Sequence, residues 1–508
     1  MNDNFNPNEN PYQLTESPQQ KEKRAQIFQA LALPTILYAI LYTFFLYKNF
    51  SSITMPLFVV STLLYVFYCM KQFDVAYKKN SIVYSGIMLL LSISSFLTGN
   101  SFIISINTLG IFLILICLLL HNYFEDANWT FGKYFTSIFE SIFGAISCIP
   151  DPFSDASAYR KIHPNAKHKK LIYIIIGIII ALPLLGVILI LLCSADIVFA
   201  DFVHNSIDFD FSFGTILGVL CMFVFALFSA YCGIRYMGKH QISEIITEKK
   251  KWDALIAITA LSLISIVYLF FSAIQIVYLF WGKMQLPADY TYARYAREGF
   301  FQLLFVCILN IIVVLFIQRY FKEHGFLKIL LAVISCCTYI MIASSAFRMI
   351  LYIQNYQLTF LRVLVLWMLA MMAILLAGIL IQIFIKHFPL FQFSFLVISI
   401  CYLIISFGHV DYFIAKYNLA HMSDSSENVQ DYSYLSGLSS DAAPIIAAHT
   451  GGWVDLYVNN LSNETNDSLR QFNVSKAYAR HLFKDQLEHS QSTVEAPMNI
   501  PLSDDDTY

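Results

Sequence analysis

Again and again along this chain, about 18 to 28 consecutive residues pass with hardly a charge among them. A helix needs roughly 20 such residues to cross a hydrocarbon core of about 30 Å, and a soluble helix of that length would need a polar face. The runs fall at 28-47, 53-70, 82-98, 102-120, 171-193, 213-234, 254-281, 300-318, 328-353, 363-385 and 394-411. They predict an all-α, polytopic transmembrane helical bundle of about eleven spans. Composition points the same way: 58% of the 508 residues are hydrophobic and only 13% charged, against about 25% charged in soluble domains. The first run has no small-residue cleavage pattern behind it and reads as a retained span. Pro34, Pro56 and Pro183 fall near or inside spans, where kinks are expected.

Lysine and arginine set the direction. With the N-terminus in the cytoplasm, the inside segments hold 21 of them and the outside loops 5, which places the tail outside the cell membrane for an odd number of spans. Five divisions follow. Residues 1-27, rich in Asn, Gln, Pro and Glu, cannot repay the entropy of ordering and read as a disordered cytoplasmic N-terminus. A four-span segment, 28-121, precedes a cytoplasmic connection, 122-170, and a seven-span domain, 171-412; the polar C-terminal tail, 413-508, is expected to be extracytoplasmic. In the connection, Phe131, Tyr134, Phe135, Ile138, Phe139, Ile142, Phe143 and Ile146 recur at intervals of three and four. This is an amphipathic helix, lying either in the headgroup plane or on the cytoplasmic ends of the spans. In the tail, helices are predicted from Ser440 through Ala448 and from about Asp467 to Leu487. Asn460, Asn463, Asn466 and Asn473 each begin an Asn-x-Ser/Thr sequon.

A charge inside a bilayer costs at least a few kcal/mol, so ionisable residues there are suspects for function or structure. Arg348, preceded by Ser344 and Ser345, lies within a span near its outer end, with Arg297, Glu298 and Asp411 as candidate partners. Asp196, Arg297, Glu298, Arg348, Arg362 and Asp411 all project to the same outer side, as a ligand site, a structural polar cluster or ordinary helix-end charges. Gln275, Gln302 and Asn310 are uncharged candidates for interhelical hydrogen bonds. Nine of the ten cysteines lie in or beside apolar runs, Cys148 sits in the amphipathic helix, and the lone His204, His409 and His449 have no ligand at metal spacing. No phosphate loop, zinc helix or nucleophile elbow occurs, so no catalytic residue, metal or cofactor is assigned. Nor does any inverted repeat, arginine ladder or filter sequence point to a carrier or channel.

The ordered motifs Ser194-Ala195-Asp196-Ile197-Val198-Phe199-Ala200, Tyr295-Ala296-Arg297-Glu298-Gly299, Ala346-Phe347-Arg348-Met349, Tyr356-Gln357-Leu358-Thr359 with Arg362, Asp411-Tyr412-Phe413 and Leu438-Ser439-Ser440-Asp441-Ala442-Ala443-Pro444 carry a resemblance. The chain resembles the bacterial multi-span membrane proteins that carry a domain of unknown function of the 4153/4173 type. Ile197, where a Pro is often found, and Ala443, where Val is commoner, depart from the pattern. The resemblance implies a bacterial cytoplasmic-membrane protein and no particular chemistry; Asp441 and Pro444 mark the tail motif. Three functions are then open. The first is a non-enzymatic envelope protein that binds another envelope protein or a surface component through its outward face and tail, with the lipid bilayer and no nucleic acid as its other surroundings. The second is a carrier or lipid-handling protein with an outward pocket around Arg348, Glu298 and Asp411. The third is a membrane-embedded transferase using Glu298 or Asp196 as base.

Overall fold

The computed structural model describes residues 17–126, 129–162, 213–243, 250–277, 292–385, 388–422, 429–462 and 468–487, with isolated positions between 177 and 196. Within them the chain is helical, the one β-type pairing being an isolated bridge between Trp252 and Phe321. The run 171-193, with Pro183, lies largely outside the described residues.

The membrane helices are α1 (Pro18–Leu46), α2 (Thr54–Gln72), α3 (Ser81–Leu97) and α4 (Ser101–Tyr123), then, after α5 (Phe131–Ser147) and α6 (Asp151–Ile162), α7 (Phe213–Gly238), α8 (Ala254–Ile276), α9 (Tyr292–Tyr320), α10 (Gly325–Tyr356), α11 (Phe360–Phe384) and α12 (Leu390–Phe407). Among the described residues nine of these helices are long and apolar enough to cross a bilayer, and α3 is a shorter apolar helix of 17 residues. The protein is thus an all-α polytopic bundle, as hydropathy predicts.

Two boundaries move, each for a local reason. The N-terminal segment is not disordered up to residue 27: α1 starts at Pro18, where Ser17 accepts a hydrogen bond from the Gln20 amide and Gln20 reaches back to the Ser17 amide. That reciprocal cap, with proline at the first helical position, starts a helix that hydropathy alone does not register. At the other end the apolar run 394-411 is broken, because α12 stops at Phe407 and His409 takes a left-handed conformation (φ 41°) before α13 (Val410–His421) begins. Pro34 lies inside α1, which remains one helix, whereas Pro56 sits in the first turn of α2, where no backbone donor is needed.

Helices α1 to α4 and α7 share one apolar core around Phe58, Met88 and Leu118. Helices α8 to α11 share a second, built on Leu261, Leu330 and Ile379 near one end and on Phe300, Met341 and Leu369 near the other. Helix α12 bridges them: Phe391, Phe395 and Tyr402 pack on the first core, Leu390 on the second. The Ser406 hydroxyl pairs with that of Ser94 at 2.6 Å, and Tyr402 donates to Asn107 at 2.8 Å.

Helix α5 is amphipathic with its polarity reversed. Tyr134, Ser137 and Ser141 are buried while Phe135, Phe139, Phe143 and Ile146 are exposed. Its Gly144 lies so close to Tyr236 of α7 that a β-carbon there would stand 2.2 Å from the ring. The small residues therefore face protein and the phenylalanines face out, an arrangement that suits a lipid interface. Nearby, Asp155 of α6 is fully buried and holds three elements together. It accepts from Arg24 of α1, and from Tyr231 and Arg235 of α7, each at 3.0 Å, while Lys239 pairs with Asp151 at 2.6 Å.

Beyond α13 come α14 (Val429–Ser436), a 3-10 turn (Ser440–Ala442), α15 (Ala443–Ile446), α16 (Gly452–Ser462), a second 3-10 turn (Leu469–Gln471) and α17 (Val474–Leu482). Tyr457, fully buried, centres a small core with Leu435, Ile446, Val454 and Phe483. The helices predicted around 440–448 and 467–487 are shorter than expected, split by 3-10 turns, and α16 lies between them.

Candidate functional site

Three turns at one end of the bundle receive the tail: residues 47–53 between α1 and α2, 98–100 between α3 and α4, and 357–359 between α10 and α11. Each turn leaves backbone groups that no helix satisfies. The tail supplies partners for them, centred on two buried carboxylates, Asp411 and Asp441, which are 3% and 5% exposed.

Asp441 projects from the 3-10 turn into the turn 98–100. Its Oδ2 accepts from the Thr98 hydroxyl at 2.5 Å and its Oδ1 from the Gly99 amide at 2.8 Å and from the Ser475 hydroxyl. Gly99 is required by contact: a β-carbon there would stand 1.9 Å from the Ser440 Oγ. The left-handed turn at His409 leaves its Nδ1 3.4 Å from Asp441 Oδ2. Asp411 Oδ2 accepts from Asn100 Nδ2 at 2.8 Å and from the Ser439 amide and hydroxyl at 3.2 and 2.5 Å.

The other turns are held by asparagines. Asn473 caps α17 through its Oδ1, while its Nδ2 donates to the carbonyls of Ser51, Ser95 (3.2 Å) and Thr98 (3.0 Å). Ile53 donates to the Phe472 carbonyl at 3.0 Å, and Asn49 to the Arg470 carbonyl at 2.6 Å. Asn418 of α13 accepts from the Leu358 amide at 2.8 Å and donates to the Leu358 carbonyl at 2.9 Å.

The two carboxylates differ electrostatically. Burial alone would push Asp441 up, but hydrogen bonds from His409, Ser475, Thr98 and Gly99 outweigh it and hold the carboxyl below its ordinary range. Asp411 is raised, because burial outweighs its donors Ser439 and Asn100. His409 is raised by its hydrogen bond to Asp441, against the effect of burial. Serine, carboxylate and imidazole meet here, but the Ser475 hydroxyl donates to the carboxylate and not to the ring, so they are not arranged as a nucleophile with its base. The arrangement fastens; among the described residues no group of three His, Cys, Asp or Glu gathers that could hold a metal.

The outer charges singled out in the sequence divide among separate surroundings. No described hydrogen bond or ion pair joins Asp411, Arg348 and Arg362 to one another. Arg348 is buried, with Nη2 3.5 Å from Gln275 Oε1, an oxygen that also accepts from Ser344 at 2.7 Å. Its guanidinium lies against α9 at Gly299, where a β-carbon would stand 1.9 Å from Nη1. Arg362 donates to the Tyr356 and Gln357 carbonyls and stacks on Tyr352 at 4.4 Å, closing the C-terminal end of α10. Asp196 is exposed, and the side chains of Arg297 and Glu298 lie outside the described residues. Pro444 is half-buried in the first turn of α15.

Thr98 and Asn100 carry no mark in the sequence, Ser439 enters only as a member of the tail motif, and Asn473 only as a sequon. Their partners lie between 28 and 422 positions away, a separation that local spacing does not register. His409 looks isolated because its carboxylate is 32 residues downstream. The sequon at Asn473 gave the one local signal, and burial removes it as a glycan acceptor: the side chain is 0% exposed and its amide is engaged.

No curated protein and no solved structure matches the chain. Residues 86–449, more than two thirds of its length, match the family described as domain of unknown function (DUF4153), a stretch that runs from α3 through Asp411 to Asp441. This all-helical integral membrane protein belongs to the DUF4153 family.

Proposed function

We propose that the protein is a non-enzymatic binding protein of the bacterial cell envelope, with its N-terminus in the cytoplasm and its tail as a recognition cap on the outer face. The lysine and arginine asymmetry supports that direction. The observation that carries the reading is the division of labour within the tail. Its polar motif is spent inward, on the three turns, while apolar side chains stay at the surface: Leu469 is 90% exposed, Tyr478 52% and Leu456 49%. A cap held in register by buried hydrogen bonds presents such residues at fixed positions, which lowers the cost of ordering them against a partner. The partner is another envelope protein or a surface component.

A photo-crosslinking residue in place of Tyr478, with a second in place of the exposed Phe413 as comparison, tests this in intact cells. A discrete adduct at Tyr478 that disappears in Leu469→Asp supports the cap as a recognition surface. A protein that inserts normally and crosslinks only to lipid at both positions sinks the reading.

A second reading rests on the buried Arg348 beside Gln275: a carrier or lipid-handling protein with a polar site at the outer end of α8, α9 and α10. Arg348→Ala should then abolish uptake or binding in proteoliposomes, and unchanged transport would remove it.

A further inference from the structure

At the end of the bundle opposite the tail, the two helical cores part around a cavity of about 980 Å³. It is walled by the end of α9, the starts of α10 and α12, and the first turn of α5 with the residues before it. The size is at the upper end of what small-molecule sites occupy.

Its walls carry donors without acceptors. Trp129 is 6% exposed, yet among the described residues its indole Nε1 has no hydrogen-bond partner, and the same holds for the Thr130 hydroxyl and Gln318 Nε2, all three residues lining the cavity. Buried donors of this kind cost free energy unless something outside the chain satisfies them. Thr130 is also the N-cap of the 17-residue helix α5 and makes no side-chain cap, so the positive end of that helix faces the cavity uncapped.

Charge is distributed in the same sense. Lys250 and Lys328 line the cavity but are occupied by Glu323, at 2.7 and 3.7 Å, and Asp126 is occupied by His121 at 2.7 Å and by the Tyr134 hydroxyl. Arg319 and Lys322 remain, and neither is paired with a carboxylate among the described residues. The Arg319 guanidinium lies directly against the first turn of α5, where a β-carbon on Gly132 would stand 1.8 Å from Nη1. An arginine, a lysine, an indole N–H and a helix N-terminus around one space make a donor set for a multiply charged oxyanion.

We propose that this cavity binds a phosphate-bearing anion, supplied either by the headgroup of an anionic lipid or by a soluble phosphate ester. Arg319 and the start of α5 take the phosphate oxygens, Trp129 and Gln318 donate from the inner wall, and Lys322 adds charge at the mouth. Phe316, Leu327 and Phe388 supply apolar wall against which glycerol or the first methylenes of a chain can lie.

The test uses the full chain purified in detergent, its Tm followed while phosphatidylglycerol, phosphatidylcholine or glycerol 3-phosphate is titrated in. Phosphatidylglycerol should raise Tm saturably and phosphatidylcholine should not. Arg319→Gln should move the phosphatidylglycerol midpoint by about tenfold or more, Lys322→Gln by less, and Trp129→Phe, which keeps an aromatic ring and removes only the donor, by about threefold to tenfold. If glycerol 3-phosphate reproduces the shift with the same sensitivity to Arg319→Gln, the site stands and its ligand is soluble; if only phosphatidylglycerol acts, the ligand is lipid. Should Arg319→Gln not purify as a monodisperse species, Trp129→Phe alone decides. Equal effects of the two lipids, no shift with any of the three, or a shift that all three variants leave untouched would overturn the proposal.

Discussion

Two buried carboxylates anchor opposite ends of the same bundle, and they are held in different ways. Arg24, which binds Asp155, and Phe44, whose carbonyl accepts from Arg470 of the tail, lie twenty residues apart on α1, about 30 Å at 1.5 Å per residue. Asp155 is compensated by charge, with guanidinium groups from α1 and α7 on one carboxylate. Asp441 is compensated mainly by neutral dipoles, two hydroxyls and a backbone amide, with His409 as its one ionisable hydrogen-bond partner among the described residues. Full charges make a joint that fails abruptly when one partner is removed, because the others are left buried and uncompensated. Dipoles make a joint that loosens group by group and can be tuned.

The largest effect should therefore come from Asp155→Ala, which strands Arg235 and Arg24 and should cost about 3 to 5 kcal/mol. Thermal unfolding of the whole bundle in detergent checks it, and a loss below about 1 kcal/mol would erase the contrast between the ends. Asp441→Ala should cost about 1 to 3 kcal/mol for each donor it orphans, with the loss confined to the tail. Hydrogen exchange should rise over 413–487 and stay unchanged in α6. Gly99→Ala, whose new methyl would collide with Ser440, should release the same segment with every charge intact.

The smallest effect is that of pH on the tail. His409 is raised by Asp441, so its contribution is complete below the ordinary imidazole value and is lost as pH rises through the raised one. Asp441 is depressed, so its contribution is present above the ordinary carboxylate value and fades only in strong acid. Asp411 is raised, so its ionisation carries a cost that acidification relieves. Once the intrinsic pH dependence of amide exchange is divided out, protection of the tail should be greatest in mild acid and fall towards alkaline pH, while α6, held by guanidinium groups that stay charged, should show no such slope. His409→Gln should remove the histidine's part of the slope and leave the part due to Asp411.

What could be read from the sequence follows from how far each signal extends along the chain. Spans announce themselves through twenty consecutive side chains, and ten of the eleven predicted runs coincide with described helices to within a few residues at most ends. Hydropathy cuts α1 short because its first turns are polar and its start is written in a cap, Ser17 with Gln20. Asp411 stands out as a charge at the end of an apolar run and Asp441 through the tail motif, but Thr98, Asn100 and Asn473, which complete the site, are ordinary polar residues whose role exists only after three distant turns are brought together. Asp155 was missed for the opposite reason: in a polar connection among other charges, nothing local distinguishes the one carboxylate that becomes fully buried. The cavity at that end depends on Trp129 and Arg319, which are 190 residues apart and carry no joint pattern.

The asparagine at the start of α17 also dictates an order of events. Asn473 is the partner of carbonyls at Ser51, Ser95 and Thr98, so the first four spans are made some four hundred residues before the groups that finish their turns exist. During synthesis those turns must wait, open, until almost the last helix has emerged. A chain cut short near its end should therefore show its injury first at its beginning.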